Sequence, residues 1–209
     1  MRIVLASNNA KKLAELQALL APVGVLLIAQ PQLAISEADE PHATFIENAL
    51  AKARHAARHV GGAALADDSG LCVDALGGAP GVGSAHFACA ALPEGSREVQ
   101  RAAQDAANNG LLLERLHGEP NRRAHFISTL VALRTADDPE PLVAVGRWHG
   151  QILREPRGSG GFGYDPLMFI PALGGTVASV SAQVKNAHSH RAIAAQQMLQ
   201  LLRDVWKLG

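Results

Sequence analysis

The apolar run Ala63-Ala64-Leu65-Ala66 ends in two adjacent carboxylates, a hydroxyl and a glycine: Asp67-Asp68-Ser69-Gly70. Neighbouring carboxylates at the end of a buried run are costly unless a cation, a shared proton or several donors compensate them. Any fold for this chain must therefore bring such groups to residues 67 and 68. The run reads as a short strand that delivers the pair to its C-terminal end, where open α/β sheets place their ligand sites. Along a regular strand consecutive side chains face opposite ways, so one aspartate is expected to face a ligand and the other to brace the loop.

The rest of the chain sets bounds on the ligand. With 209 residues, 48% of them hydrophobic, there is ample material for a packed interior. The 19 basic and 19 acidic residues cancel, so no global field draws the protein to nucleic acid or to an anionic membrane. A polyanionic partner must be small and gripped locally. Cys72 and Cys89 make neither a disulfide framework nor a Cys-x-x-Cys site, which suits a reducing compartment. Met1 to Ser7 turns polar too early for a signal peptide, and no apolar run approaches the roughly 18 residues of a membrane span. A cytoplasmic protein is expected.

Ile3 to Ala6 followed by Leu13, Leu16, Leu19 and Leu20 reads as strand, loop, helix. Asn9 is a natural N-cap, and Ser7, Asn8, Asn9, Ala10, Lys11 and Lys12 form a loop whose backbone amides and two lysines suit a phosphate. A solvated first turn is the plainer alternative, and spacing leaves both open. Val25 to Ala29 is a second strand candidate. Thr44-Phe45-Ile46-Glu47 fits a capping box that opens a helix running to Gly61. Ahead of it, Glu40 matters only if the fold brings it to Asp68. Ser96 to Leu116 reads as a long helix weakened by Asn108-Asn109-Gly110, and Ala124 to Arg134 with Leu142 to Leu153 as a hairpin. A last helix begins near Ser189. Alternating strands and helices followed by paired strands predict an α/β fold: a mixed twisted sheet with flanking helices, in two lobes around a central substrate cleft.

Gly158-Ser159-Gly160-Gly161-Phe162-Gly163 satisfies Gly-x-Gly-x-x-Gly literally, but it is followed by Tyr164-Asp165-Pro166 and an apolar strand rather than by a helix. Its glycines instead suit close approach to a flat ligand, with Phe162 as a stacking surface and Asp165 as an acceptor for ring N–H groups. Lys185, His190 and Arg191 form a second cationic group around the last helix.

Together the segments Ser7-x-Asn9-x-x-Lys12, Thr44-Phe45-x-Glu47-Asn48-Ala49, Ala66-Asp67-Asp68-Ser69-Gly70, Gly160-Gly161-Phe162-Gly163-Tyr164-Asp165-Pro166 and Ser189-His190-Arg191 resemble the inosine triphosphate pyrophosphatase family. They are collinear and span nearly the whole chain. The resemblance implies a single two-lobed domain over residues 1–209. It also implies a homodimeric, Mg²⁺-dependent hydrolase that cuts deaminated purine nucleoside triphosphates (ITP, dITP, XTP) to the monophosphate and pyrophosphate. It implies that Ser7 to Lys12 hold the triphosphate, that Glu40 and Asp68 bind the metal, and that Asp68 is the general base. Ser69, Phe162, Gly163, Tyr164, Asp165, Lys185, His190 and Arg191 would then contact the substrate, chiefly its base, with Asp67 as a brace or auxiliary acid. The chain departs from the family pattern at Gly83, at His86-Phe87 after Ser84-Ala85, and at Gln183-Val184 before Lys185.

The chemistry is coherent with that reading. Lys12, Lys52, Lys185 and a divalent cation would neutralise a triphosphate, and magnesium typically uses one or two carboxylates plus phosphate oxygens and waters. Arg191 and backbone amides near residues 163 to 165 are the expected donors to a 6-oxo purine. Two other readings remain: a nucleotide-binding module without turnover, and an aspartic protease, whose short signature Asp68-Ser69-Gly70 also satisfies.

Overall fold

The computed structural model describes all 209 residues, Met1–Gly209. Seven strands form one sheet: β1 (Arg2–Leu5), β2 (Leu26–Ala29), β3 (Ala64–Val73), β4 (Arg123–Leu133), β5 (Leu142–Ile152), β6 (Met168–Ile170) and β7 (Gly175–Thr176), in the order β2-β1-β3-β4-β5-β6-β7. β1 runs parallel to β2 and β3, whereas β6 is antiparallel to β5 and β7. The sheet is thus mixed, as expected. β4 and β5 are neighbours joined through residues 134–141, a link too short for a parallel crossover. Five helices accompany the strands: α1 (Ala10–Leu20), α2 (Phe45–Val60), α3 (Arg97–Arg115), α4 (Ala182–His188) and α5 (His190–Asp204).

Capping chemistry sets most helix starts. Asn9 accepts from the amides of Lys11 and Lys12, Thr44 from Glu47, Ser96 from Val99 and Ser189 from Ala192. α2 stops at Gly61, which sits at φ +59° as a left-handed C-cap. No helix is long and apolar enough to cross a membrane.

The chain divides into two units. The first comprises Met1–Ser69, Ser128–Arg147 and Asn186–Gly209, and the second Gly70–Ile127 and Trp148–Lys185. In the first unit the central strands β1, β3 and β4 are buried on both faces. Ile3, Leu5, Leu65, Leu130 and Ala132 join Leu16, Leu20, Ala194 and Met198 in one apolar cluster. Val4, Ala6, Ala64, Ala66, Val131 and Leu133 join Ala49, Ala53, Ala56 and Ala57 in another. Odd and even strand positions therefore face different helices, α1 and α5 on one side and α2 on the other. Each fully buried leucine there contributes about 1.5–3 kcal/mol of transfer free energy. The second unit has its own cluster, built from Leu71, Val73, Leu112, Phe126, Trp148, Tyr164 and Met168 among others.

Two details differ from the sequence expectation. β3 does not end at Ala66 but runs on through Asp67 and Asp68 to Val73, because both carboxylates find buried partners and the strand need not stop for them. A short helix, α4, and the two-residue strand β7 also precede the last helix, too short for their periodicity to register.

α5 presses directly on β5. A Cβ added at Gly146 would lie 2.0 Å from the carbonyl oxygen of His190 and 2.6 Å from the amide nitrogen of Ala194, and backbone cannot yield as a side chain tip can. Gly146→Ala is therefore expected to cost at least about 1–3 kcal/mol, read as a lower urea midpoint. An unchanged midpoint would show that α5 is not seated on this glycine.

Candidate active site

The strand alternation that separates the two clusters also separates the two aspartates. Asp67 shares its face with Leu65 and meets α1 and α5, while Asp68 shares its face with Ala64 and Ala66 and meets α2. Asp67 is 2% exposed. Its Oδ1 accepts hydrogen bonds from the hydroxyls of Ser69 and Ser128, the latter at 2.7 Å, and its Oδ2 pairs with Lys12 Nζ at 3.0 Å and Arg191 Nε at 3.1 Å. Burial alone would push this carboxyl up. Lys12, Arg191 and the two hydroxyls outweigh burial and hold it well below the usual carboxylate range. Arg191, also 2% exposed, donates further to Glu15 through Nη1 and to Ser69 Oγ through Nη2 at 3.3 Å. Burial opposes its charge, but Asp67 and Glu15 raise its pKa regardless. Lys12 fares differently: burial pulls its ammonium down despite Asp67.

Asp68 is 6% exposed and far less well compensated. Its Oδ1 lies 2.7 Å from Lys52 Nζ, which is also 3.0 Å from Oε2 of the half-exposed Glu40. Its Oδ2 is buried and has no hydrogen-bond partner. Burial pushes the carboxyl up to about 6, against Lys52, with Glu40 adding to the rise. Lys52 responds in the opposite sense, its ammonium raised by Asp68 and Glu40 against burial. Asn48, on α2, pins the segment just after Glu40 by accepting from the His42 amide at 3.0 Å and donating to the His42 carbonyl at 3.1 Å. Two carboxylates around a cationic centre, one with an orphaned buried oxygen, fit a hard oxygen-seeking cation. No group of three or more His, Cys, Asp or Glu side chains is assembled, so such an ion would need waters and ligand oxygens as well.

The β1–α1 loop corrects one expectation. The Asn9 amide donates to Ser7 Oγ at 3.2 Å, and the amides of Lys11 and Lys12 donate to the Asn9 side chain at 3.0 and 3.3 Å. Asn8 bonds to Glu37 and Gln30. The amides of Asn9, Lys11 and Lys12 are thus bonded within the loop itself.

In the second unit, Asp165 is buried, with Oδ2 accepting from the Phe162 amide at 2.9 Å and from Lys185 Nζ at 2.7 Å. Lys185 Nζ lies 4.4 Å from the Phe162 ring centroid. Gly161 is required here, because a Cβ would fall 2.0 Å from Asp165 Oδ2. Tyr164 donates to the Ser84 carbonyl at 2.9 Å, and burial with nearby Asp105 pushes its phenol upward. Gly163 donates to Asp105 Oδ2 at 2.7 Å and accepts from Asn109 Nδ2 at 2.9 Å.

The sequence-predicted residues thus fall into two groups. The first unit gathers Ser7 to Lys12, Glu40, Lys52, Asp67, Asp68, Ser69 and Arg191, with His190 buried at the start of α5. The second holds Phe162, Gly163, Tyr164, Asp165 and Lys185. Lys185 serves Asp165, and Arg191 serves Asp67. Arg191 bonds Asp67, Glu15 and Ser69 with three of its five N–H donors, and Asp165 Oδ2 bonds the Phe162 amide and Lys185. The amides of Phe162, Gly163 and Asp165 are likewise bonded internally. The aspartic protease reading needs Asp68-Ser69-Gly70 on a loop that meets a second such carboxylate loop, whereas here the three residues lie within β3.

Glu15, Ser128, Asp105 and Asn109 were missed. Glu15 lies three positions after Lys12, on the same face of α1. Ser128 interrupts an apolar strand, and a buried hydroxyl there had to have a partner.

The Ham1 family's sequence model matches residues 3–201. A dITP/XTP pyrophosphatase of Methylibium petroleiphilum is 67% identical over 206 residues, covering 99% of each chain, and one of Leptothrix cholodnii is 65% identical over the full length of both. Among solved structures, a HAM1 protein from Coxiella burnetii superposes with a TM-score of 0.86 at 40% identity, over 98% of this chain and all of that one. The Staphylococcus aureus Ham1 protein gives 0.82 at 33%, over 97% of this chain and 98% of its own. On its sequence, its fold and the residues gathered around Asp67 and Asp68, the chain belongs to the Ham1 family.

Proposed function

We propose that this protein hydrolyses deaminated purine nucleoside triphosphates, ITP, dITP and XTP, to the nucleoside monophosphate and pyrophosphate. The observation that carries the reading is the unequal treatment of the two aspartates: one is locked as an anion, the other is buried with a pKa near 6 and an unpartnered oxygen. The printed names of the most similar relatives point the same way.

In this scheme Asp68 takes the proton of the water that attacks the α-phosphorus. The bond from that phosphorus to the bridging oxygen breaks, and pyrophosphate leaves. In the metal-free site a base near pKa 6 is ionised at neutral pH and still basic enough to accept a proton, and a bound cation lowers that basicity. Asp67, saturated by four donors, holds Lys12 and Arg191 in place. Lys12 and Lys52 supply cationic charge for the phosphates. Glu40 and Asp68 would hold a magnesium ion together with waters and phosphate oxygens, and it would supply further charge neutralisation for the leaving pyrophosphate. For the base, Phe162 offers a face for stacking beside the Lys185 ammonium. We assign the activity to a single domain over residues 1–209, acting on free nucleotides as a cytoplasmic homodimer.

With Mg²⁺, pyrophosphate is expected from ITP, dITP and XTP and far less from GTP or ATP. No pyrophosphate from any of them would reject the reading in favour of a binding module, and orthophosphate would move the cut to another bond. Asp68→Asn should lower turnover by about 10²- to 10⁴-fold with ITP binding largely retained; near-normal turnover would remove Asp68 as the base. In the metal-free protein the Asp68 carboxyl should titrate near 6, protonated below that pH and ionised above it. Added Mg²⁺ favours the charged form and should move the titration downward, which carboxyl-resolved NMR can follow; an unmoved titration would argue against Asp68 as a ligand.

A further inference from the structure

The middle of α3, Gln104-Asp105-Ala106-Ala107-Asn108-Asn109-Gly110, contains four poor helix formers, Asp105, Asn108, Asn109 and Gly110. Its polar side chains bond two loops instead. Gln104 donates to the Ala88 carbonyl at 2.8 Å, and Asn108 accepts from the Ala88 amide at 2.8 Å while donating to the carbonyls of Ser84 and Ala85 at 3.2 Å each. One step around the helix, Asp105 and Asn109 are also four residues apart and so share a face. Asp105 takes the Gly163 N–H and Asn109 takes the Gly163 C=O.

Those two groups belong to the successive peptide planes on either side of the Gly163 Cα. Gly163 sits at φ +63°, which glycine adopts without strain and leaves as easily, so the residue itself does not hold the turn. Bonds to both planes, one of them to a carboxylate, fix both of its backbone torsions. Phe162 precedes this point, and Asp165, which carries Lys185, follows it.

We propose that Asp105 and Asn109 are specificity-determining positioning residues: from α3 they clamp Gly163 and so set where Phe162, Asp165 and Lys185 stand, without touching the substrate. The proposal rests on the reading of Phe162 to Asp165 as the base-recognising segment. The phosphate chemistry belongs to Asp68, Lys52 and Lys12 rather than to the turn that the clamp holds, so loss of the clamp is felt in selection of the base and not in the hydrolytic step.

The test compares wild type with Asp105→Ala, Asp105→Asn and Asn109→Asp, the last an isostere that turns an oxygen toward the Gly163 carbonyl. Thermal midpoints first establish which variants are folded. Expected are faster amide exchange at Gly163, a KM for ITP raised roughly tenfold with kcat within about twofold, and an ITP-over-ATP preference in kcat/KM reduced roughly tenfold. Asp105→Asn, which keeps an oxygen acceptor, should recover most of the loss. Faster exchange at Gly163 with unchanged KM and preference in the folded variants would overturn the proposal. Calorimetric ITP affinities are measured alongside. A wild type that binds ITP without cleaving it rejects the hydrolase reading, and the clamp then stands or falls on whether the variants weaken that affinity. A wild type that neither binds nor cleaves ITP overturns both.

Discussion

A carboxylate shut away from water beside two cations is the interaction on which the first unit depends. Asp67 draws Lys12 from α1, Arg191 from α5 and Ser128 from β4 onto one point of β3. With Glu15 the cluster holds two carboxylates and two cations, so its charges balance where water cannot help. Such an arrangement stabilises little in net terms, because desolvating four charges offsets most of their attraction. Its weight lies in the asymmetry: deleting one member leaves a buried charge unpaired, which costs far more than the intact cluster contributes. The cluster therefore fixes the placement of α1 and α5 more than it adds to overall stability. The capped loop from Ser7 to Lys12 is held from both ends by it and by Asn9.

The next residue inherits a different environment for a purely geometric reason. A strand turns successive side chains to opposite faces, and the face that receives Asp68 is covered by α2 through Ala49, Ala53, Ala56 and Ala57. Small residues let the helix lie close, so that Lys52 can reach Asp68 from within it. One ammonium shared with Glu40 leaves Asp68 undercompensated, and its pKa rises instead of falling. Two chemically identical neighbours thus acquire opposite proton affinities from the cations each face supplies. No catalytic residue type had to be chosen for either role; position on the strand decides.

Much of this was legible in the sequence because it is local. The caps Asn9, Thr44, Ser96 and Ser189, the Gly61 stop and the β4–β5 pair each follow from a few adjacent residues. The divergence of Asp67 from Asp68 followed from period-two alternation alone. What could not be read was pairing over distance. Arg191 meets Asp67 across 124 positions, and nothing near either residue announces the other. Without that partner a charged pair looks like the end of a strand, so β3 was expected to stop where it in fact continues. The helix-weakening Asn108 and Asn109 misled for the same reason: propensity registers their cost to α3, and only the folded chain shows the loop carbonyls that repay it. Backbone amides expected to stand open for a phosphate or a purine were likewise claimed by side chains a residue or more away.

The second unit uses the device of the first with one change that alters its chemistry. Asp165 is also buried against a cation, but its Lys185 lies over an aromatic ring, and the same carboxylate oxygen holds the backbone amide of that ring's residue. Carboxylate, ammonium and ring are therefore fixed relative to one another through a single oxygen atom. Displacing Lys185 would disturb Phe162, and moving Phe162 would strip Asp165 of a donor. Gly161 completes the arrangement by leaving room that any side chain would fill. A surface made in this way is rigid, flat on one side and cationic at its margin. On the proposed function, those properties would favour planar ligands carrying oxygen acceptors, which an adenine-type ring with an exocyclic amine satisfies less well than a ring with oxygen in its place. Selectivity of that kind comes from how firmly the turn is held, since a mobile ring and lysine would adapt to either ligand.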